Sequence, residues 1–451
     1  MLIRVIVGNL YSFQEKTEFN MLTGDVRRHS HHVHKLGKVE VLRTAAIYGA
    51  NGAGKSNLVK SLNLLQIATT SEKIPSEKIR SFKLSQSKEL PYSHIEIEIF
   101  LNKKNYLYGV SLTPARVAEE WLYEVGEGKK DVLIFERKTN ENEETKISFS
   151  PKYENNAKAK LRRELYESEI LKPETTMLWQ LNQAKNSLIK EAKEVLNWLE
   201  NKLLTIYPNS AHKAFVEAYI TSNEFKNFCD TLISKFNTGV FGLHIKKTLL
   251  DNADANQQDL LKLKNSMIEK GITMVSFLDR NRHPFTLTRL DEQVYLNEVQ
   301  TLHNNLSSES VVFDIIEESD GTRRLMDLIV AFYTYVKFDI TILIDEIERS
   351  IHPALIKTIL QKIIGEEQAK GQLIFTTHES NLLDLEMLRQ DEIWFAEKNE
   401  AGATAFYSLN DYSIRPDLDI EKGYLMGRFG AIPMLNDLKK LKWQEQAHAE
   451  N

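Results

Sequence analysis

An α/β fold with a mixed sheet, interrupted by a helical insertion, is what this sequence predicts, and three observations predict it. The apolar run "TAAIYG" (44–49) leads into a glycine-rich turn and then into "SNLVKSLNLLQ", the order strand, loop, helix. "HIEIEIFL" (94–101) alternates Ile95, Ile97 and Ile99 with Glu96 and Glu98, the period of an antiparallel strand with one wet face. "ITILID" (340–345) and "QLIFTT" (372–377) are very apolar runs on either side of a helix that begins near Pro353, which predicts a βαβ unit in a parallel sheet.

Along the chain, "LIRVIV" (2–7) opens a β-rich stretch over residues 1–150. From 151 to 307 the composition turns charged and rich in Leu and Lys, and a mostly helical insertion is expected. Leu181, Ala184, Leu188, Ala192, Val195, Leu199 and Leu203 recur at steps of three and four and predict one long amphipathic helix. A second helical pattern runs over 259–269. The insertion reads as a piece packed on itself or as a short arm that grips a partner; its heptad-like run is too short for a long coiled coil. Residues 308–451 return to α/β character, so the two ends are expected to form one domain split by the middle.

The bulk numbers exclude several classes. In 451 residues, 42% are hydrophobic and 27% charged, the balance of a soluble globular chain. A net charge of −5 argues against a surface coated with base for nucleic acid, while leaving room for a local basic patch. A single cysteine, Cys229, excludes an internal disulfide framework and fits a reducing, cytoplasmic compartment. No run of 18 apolar residues occurs, so no membrane span is expected.

Chemistry concentrates in "AIYGANGAGKSNL". Gly49-Ala50-Asn51-Gly52-Ala53-Gly54-Lys55-Ser56 matches G-x-x-x-x-G-K-[ST] in full, with Asn57 following. Glycines let backbone N–H groups turn inward on phosphate oxygens at a helix N-terminus. Lys55 supplies a mobile charge for the β- and γ-phosphates, and the Ser56 hydroxyl ligates Mg²⁺. A triphosphate, ATP, is the expected ligand.

Later motifs narrow the class. "TILIDEIERSIHP" ends an apolar strand in Asp345, placed to hold Mg²⁺ through water, and the adjacent Glu346 can polarise an attacking water. "LIFTTHES" ends another strand in His378, which can contact the γ-phosphate; taken alone it would fit a structural histidine. In "EESDGTRRLMDLIVAFY", Ser319, Gly321 and Thr322 open a helix with hydroxyl and backbone donors. Alone this is also an ordinary helix cap, and Asp320 would repel a phosphate.

The order phosphate loop, signature-like helix start, Asp-Glu strand, His strand resembles ABC-type ATPase heads. That resemblance implies an ABC-type P-loop NTPase head with antiparallel N-terminal strands and a parallel core. It also implies a head-to-tail homodimer, in which Ser319, Gly321 and Thr322 of one subunit close on the ATP of another. More closely, "YGANGAGKSNL", "YLYGVSL", "EESDGTRRL", "IDEIERSIHP", "FTTHESNLLD" and "DIEKGYLMGRFGAIP" resemble the ABC/SMC-like AAA-type ATPases of bacterial abortive-infection and anti-phage systems, relatives of the OLD-family ATPase domains. By position, Ser350, Ile351, His352 and Pro353 stand where the D-loop crosses the dimer interface. Two departures stand out: the signature is S-D-G-T instead of L-S-G-G-Q, and only Gln86 offers itself as a Q-loop glutamine.

"RRHSHHVHK" puts His29, His31, His32 and His34 within six residues. Without Cys or Asp/Glu at ligand spacing, a loop flanking the nucleotide region is preferred over a metal site. OLD-like relatives carry a TOPRIM nuclease; here "DLD" (417–419) has the letters of D-x-D but no convincing acidic partner, so none is expected. The functional expectation is a Mg-ATP-hydrolysing sensor or scaffold whose dimers or larger homo-oligomers control a separately encoded effector, a toxin or nuclease, with a phage-derived trigger. The alternative is an SMC-like repair or recombination ATPase acting on DNA; a third possibility is an assembly protein using ATP as glue, which Glu346 argues against.

Overall fold

The computed structural model describes residues 1–84, 90–126, 128, 130–154, 157–183, 189–250, 258–415 and 418–432. In chain order the strands and helices begin with β1 (Leu2–Gly8), β2 (Thr17–Asn20), β3 (Val33–Leu36), β4 (Val39–Leu42), β5 (Thr44–Tyr48) and α1 (Lys55–Thr70). Next come β6 (Ser93–Leu101), β7 (Lys104–Leu112), β8 (Val117–Glu124), β9 (Val132–Thr139), β10 (Thr145–Phe149), α2 (Ala157–Leu165), α3 (Met177–Gln183) and α4 (Lys190–Asn201). The middle holds β11 (Leu203–Ile206), α5 (Phe215–Thr221), α6 (Asn223–Ile233), β12 (Val240–Leu249), α7 (Gln258–Lys270), β13 (Met274–Leu278), β14 (Pro284–Leu290), β15 (Gln293–Asn304) and β16 (Ser310–Asp314). Last are α8 (Asp320–Lys337), β17 (Thr341–Ile344), α9 (Pro353–Ile364), β18 (Gln372–Thr376), β19 (Ile393–Lys398), β20 (Thr404–Ser408) and α10 (Ile420–Leu425).

These elements form a mixed α/β fold in two compact units. A flanking unit comprises Leu2–Glu200 and Phe375–Asn451, and a central unit comprises Asn201–Ile374 with Met1. The chain thus divides at 200/201 and 374/375, positions that composition did not mark.

In the flanking unit, an antiparallel sheet runs β10-β9-β8-β7-β6-β1-β2. A parallel pair, β5 with β19, is extended by antiparallel β20. All five residues of β5 are buried, as its apolar run predicts. The expected wet face of β6 is a correction. Ile95, Ile97 and Ile99 are fully buried, yet Glu98 is buried as well and Glu96 half-buried. β6 is an inner strand between β1 and β7, and burying three isoleucines, about 1.5–3 kcal/mol each, holds it there. The two carboxylates are kept by partners: Arg4 Nε donates to Glu98 at 2.7 Å and Trp121 Nε1 to Glu96 at 3.0 Å.

Beneath the same sheet lies a buried ionic network. Glu120, wholly buried, accepts from the Tyr108 hydroxyl at 3.0 Å and from the backbone N–H groups of Met177 and Leu178 at 2.6 and 3.0 Å, so it caps α3 from β8. Arg137 donates to the carbonyls of Lys172, Pro173 and Thr175, tying β9 to the turn before that helix. Late in the chain, Tyr424 and Phe429 stack on Phe395 of β19 at 5.6 and 6.0 Å, and Tyr407 donates to the Phe429 carbonyl. The "GYLMGRF" stretch therefore closes over β19 and β20.

The central unit contains β17 with β11 parallel on one side and β18 on the other; α9 lies between β17 and β18 in sequence. It also contains an antiparallel sheet β12-β15-β14-β13, with β16 added on β15. Leu260 and Leu263 of α7 pack on the Leu287, Val294 and Leu296 face of that sheet.

That sheet corrects the expectation of a mostly helical 151–307. Its first part, α2 to α4, is helical, but residues 203–304 carry five strands beside α5, α6 and α7. The long helix expected from Leu181 to Leu203 is instead two helices, α3 and α4, and Leu203 opens β11. Ala184 and Leu188 lie outside the described residues, as does Gln86. The helix expected over 259–269 is α7.

Candidate functional site

The phosphate loop belongs to the flanking unit, and its backbone is set by what a side chain would collide with. Gly49 (φ +154°) could not carry a Cβ, which would fall 2.3 Å from the Ala396 carbonyl oxygen. Gly54 (φ +109°) caps α1, and its Cβ would fall 2.0 Å from Thr404 Oγ1 and 2.7 Å from Ser12 Oγ. Gly52 (φ +79°) has nothing within 4 Å of a Cβ, so there the left-handed backbone alone calls for glycine. The loop is buttressed on one side and open on the other.

The buttress consists of residues that sequence reading missed. Thr404 of β20 donates to the Ala53 carbonyl at 2.7 Å and lies 2.8 Å from Ser12 Oγ. Asn57 Nδ2 donates to the same Ser12 oxygen at 2.7 Å. Ser12 and Thr404 are far apart in sequence and belong to no motif, so nothing short of the fold could have paired them.

Lys55 is buried, and its ammonium donates to the carbonyls of Gly49 at 2.7 Å and Ala50 at 3.2 Å. Its third direction meets His378 Nδ1 at 3.1 Å. His378 arrives there because β18 has just ended and the Thr377 N–H donates to the Ile47 carbonyl of β5. Two residues 323 apart, chosen from separate motifs, are thus within one hydrogen bond. Asn51 and Gly52 are exposed, Ser56 and Asn57 half-buried, and Ala53 buried. Open glycine backbone, the N-terminus of the 16-residue α1 and a lysine on the loop's own carbonyls fit a bound phosphate chain.

The acidic pair and the signature-like segment belong to the central unit. Asp345 is buried just beyond β17, and its N–H donates to the Ile206 carbonyl at 2.9 Å. Glu346 is half-buried with φ +48°, and Ser350, exposed, has φ +62°; both are non-glycine residues in the left-handed region. His352 accepts from the Ala354 N–H to cap α9, with Pro353 at its first turn.

Ser319 caps α8: its hydroxyl accepts from the Thr322 N–H at 3.1 Å and lies 2.9 Å from Thr322 Oγ1. The two signature hydroxyls therefore engage each other, with Thr322 buried. Gly321 has a packing reason as well, since a Cβ there would fall 2.6 Å from the Ser350 carbonyl oxygen. Asp320, which would repel a phosphate, is paired with Arg323 at 2.5 Å.

Arg324 is the residue behind the acidic pair that sequence reading missed. It is buried, and it donates to the carbonyls of Tyr207 at 3.0 Å, Asp345 at 3.3 Å and Glu346 at 3.4 Å. One side chain therefore links the end of β11, the acidic pair and the signature helix. Burial draws the guanidinium pKa down, chiefly against the nearby Asp327, which raises it. Burial pushes Asp327 itself up to about 6. A signal existed: Arg324 shares a helical face with buried Leu328, Ala331 and Tyr335, and a charge on such a stripe demands partners.

Other candidates resolve differently. Of the "DLD" acids, Asp417 lies outside the described residues, and Asp419 accepts from the Lys422 N–H to cap α10. The histidines of "RRHSHHVHK" are drawn together, with ligand atoms of His29, His31 and His32 all within 4.8 Å of one another.

Three solved structures similar to this chain are SMC heads. The SmcHead bound to the C-winged helix domain of ScpA has 14% identity over 90% of this chain and 97% of that one, with a TM-score of 0.40. The SMC head domain from Thermotoga maritima has 11% identity over 92% and 99%, TM-score 0.38. The Smc head with an extended coiled coil bound to the C-terminal domain of ScpA, from Pyrococcus furiosus, has 12% over 95% and 98%, TM-score 0.41. Among the curated proteins none matches this chain. The family model described as "AAA domain, putative AbiEii toxin, Type IV TA system" matches residues 45–384, three quarters of the length, and the chain belongs to that family.

Proposed function

We propose that this chain binds and hydrolyses Mg-ATP as the ATPase subunit of an anti-phage defence system. In this reading its nucleotide-driven dimers or larger homo-oligomers control an effector, a toxin or nuclease, made from a neighbouring gene, with a phage-derived trigger. The observation that carries the nucleotide part is the 3.1 Å contact of Lys55 with His378 beside an open glycine loop.

The residues divide the work as follows. Lys55 exchanges the Gly49 and Ala50 carbonyls for β- and γ-phosphate oxygens, while the amides of residues 51–56 at the start of α1 take the rest of the charge. His378, already on the lysine, lies where loss of the γ-phosphate can be sensed. Glu346 accepts the proton of the attacking water. Mg²⁺, held by the Ser56 hydroxyl and the Asp345 carboxylate, would supply positive charge to the β- and γ-phosphates. That pairing, like the roles of Glu346 and His378, rests on the motif series. Ser319, Gly321 and Thr322 of a second copy would close on the nucleotide head to tail; because the Thr322 N–H and one hydroxyl hydrogen are spent within the cap, the backbone N–H groups of Ser319 and Gly321 and the other hydroxyl hydrogen are what they offer. Among the described residues no helix is long and apolar enough to cross a membrane.

The test is the Glu346→Gln protein in Mg-ATP, expressed with its neighbouring reading frames. ATP turnover should fall by about 10²–10³-fold, as for loss of a general base, and native mass should show a trapped higher oligomer carrying a second polypeptide. Turnover at the wild-type rate would sink the catalytic assignment. A bare dimer that recruits DNA instead would move the chain to the SMC-like reading.

A further inference from the structure

The turn before β3 gathers three imidazoles into one place. His29 has left-handed backbone (φ 50°, ψ 52°), and Ser30, His31 and His32 follow as a single 3₁₀ turn closed by the His32 N–H on the His29 carbonyl at 2.9 Å. His29 and His32 stack with centroids 4.9 Å apart, and His31 stands edge-on to His32 at 4.4 Å. One ligand-capable nitrogen from each ring lies within 4.8 Å of the other two.

Two of the rings are also oriented from behind. His29 Nε2 faces the Leu385 carbonyl at 2.9 Å, so that nitrogen carries the proton and Nδ1 keeps the lone pair. His32 Nδ1 faces both oxygens of buried Glu392 at 3.0 Å, which leaves Nε2 as its free nitrogen. A histidine whose far nitrogen is held by a carboxylate or a backbone carbonyl is the arrangement that orients metal-binding imidazoles. The third ring is held through its backbone: Arg43 donates to the His31 carbonyl at 2.5 Å.

We propose that His29, His31 and His32 form a Zn²⁺ site, with water completing the coordination. Three imidazoles are a donor set that zinc accepts, and none of the three is needed for nucleotide chemistry. Zn–N bonds of about 2.0–2.1 Å in a tetrahedron place the nitrogens roughly 3.4 Å apart, so nitrogens up to 4.8 Å apart close by as much as about 1.4 Å on binding, and the stacked rings of His29 and His32 turn out of parallel. The ion would fix the two rings whose far nitrogens bond Leu385 and Glu392, and so stiffen the link from the 29–32 turn to residues 385–392. Arg43, which holds that turn, directly precedes β5 and hence the phosphate loop, and residues 385–392 follow His378. The site would thus brace both chain segments that deliver the nucleotide-contacting residues, and it stands whether or not the chain hydrolyses ATP.

The sequence argument against a metal here was the lack of an acid at ligand spacing. Glu392 answers it from 360 residues away, as an orienting group and not as a ligand.

The test uses the full-length chain without an affinity tag, stripped with a chelator and titrated with Zn²⁺ alone. The expected result is one equivalent bound, a melting temperature raised by a few degrees, and a visible band on Co²⁺ substitution typical of four ligands. His29→Gln and His31→Gln, both at half-buried positions, should each weaken binding at least about tenfold, whereas His34→Gln and Lys55→Ala should bind as wild type. No zinc retained by the wild type, or wild-type affinity in both His29→Gln and His31→Gln, overturns the proposal.

Discussion

The phosphate loop and the acidic strand end are held in shape by opposite means. In the flanking unit the loop is shaped by absence: Gly49 and Gly54 let the chain pass where any side chain would strike Ala396, Thr404 or Ser12. In the central unit the corresponding segment is shaped by presence, with Arg324 reaching across to the carbonyls of Tyr207, Asp345 and Glu346. Glycine leaves its mark in the sequence itself, whereas the arginine's purpose appears only when its partners, 117, 21 and 22 positions away, are known. A backbone-shaped site is therefore readable early, and a side-chain-shaped one late.

The hardest test of that contrast is Gly54→Ala. The new methyl would stand 2.0 Å from Thr404 Oγ1 at φ +109°, and neither the backbone nor the buttress can absorb both demands. ATP binding, followed with a fluorescent analogue, should weaken by more than about tenfold, and turnover should fall by about 10²-fold or more as the loop loses its aim. The central unit should keep its stability. Near-normal ATP binding by Gly54→Ala would mean that side chains, not backbone, set the loop.

Arg324→Ala probes the other side. It removes a buried donor from three carbonyls and leaves Asp327 without its neighbouring cation, so stability should fall by roughly 2–4 kcal/mol, read from denaturant unfolding. Turnover should drop with it, because Glu346 loses the hold on its carbonyl, yet ATP affinity should stay within about threefold, since no phosphate-loop residue is touched. Arg324→Lys should recover stability in part and turnover hardly at all, because one ammonium cannot span three carbonyls as the planar fork does. A protein that loses ATP affinity and turnover in equal measure would place Arg324 on the nucleotide, not behind the acids.

How much was legible follows the same division. β1, β5, β17 and β18 and the helix starts at Gly54, Ser319 and Pro353 could be read directly, because apolar runs and helix-starting residues act through local physics. The antiparallel sheet of the central unit was not read. β15, "QVYLNEVQTLHN", buries Val294 and Leu296 and then Val299 and Thr301, so its period of two breaks at buried Asn297 and no single alternation runs through the strand. The periodicity from Leu181 to Leu203 ran on across a helix end because spacing alone carries no stop signal there. Burial of Glu98 depends on Arg4, and the orientation of His32 depends on Glu392; both are tertiary facts that no window of sequence contains.

Histidines that burial keeps neutral give the smallest test: His94 in the flanking unit, where His32 is a second, and half-buried His212 in the central one. Burial brings His94 of the flanking unit down to about 4, and His212 of the central unit likewise to about 4. The unfolded chain takes up these protons near pH 6.5, whereas the folded protein refuses them until about pH 4. Their contribution to stability is therefore complete above pH 6.5 and is lost as the pH falls towards 4, by on the order of 1–3 kcal/mol per site. Melting temperatures measured between pH 7 and pH 4 should decline over that window. His212→Gln should flatten the decline for unfolding of the central unit, and His94→Gln for the flanking one. If either substitution flattened both transitions equally, the two units would unfold as one, and the contrast drawn from their separate cores would concern local architecture only.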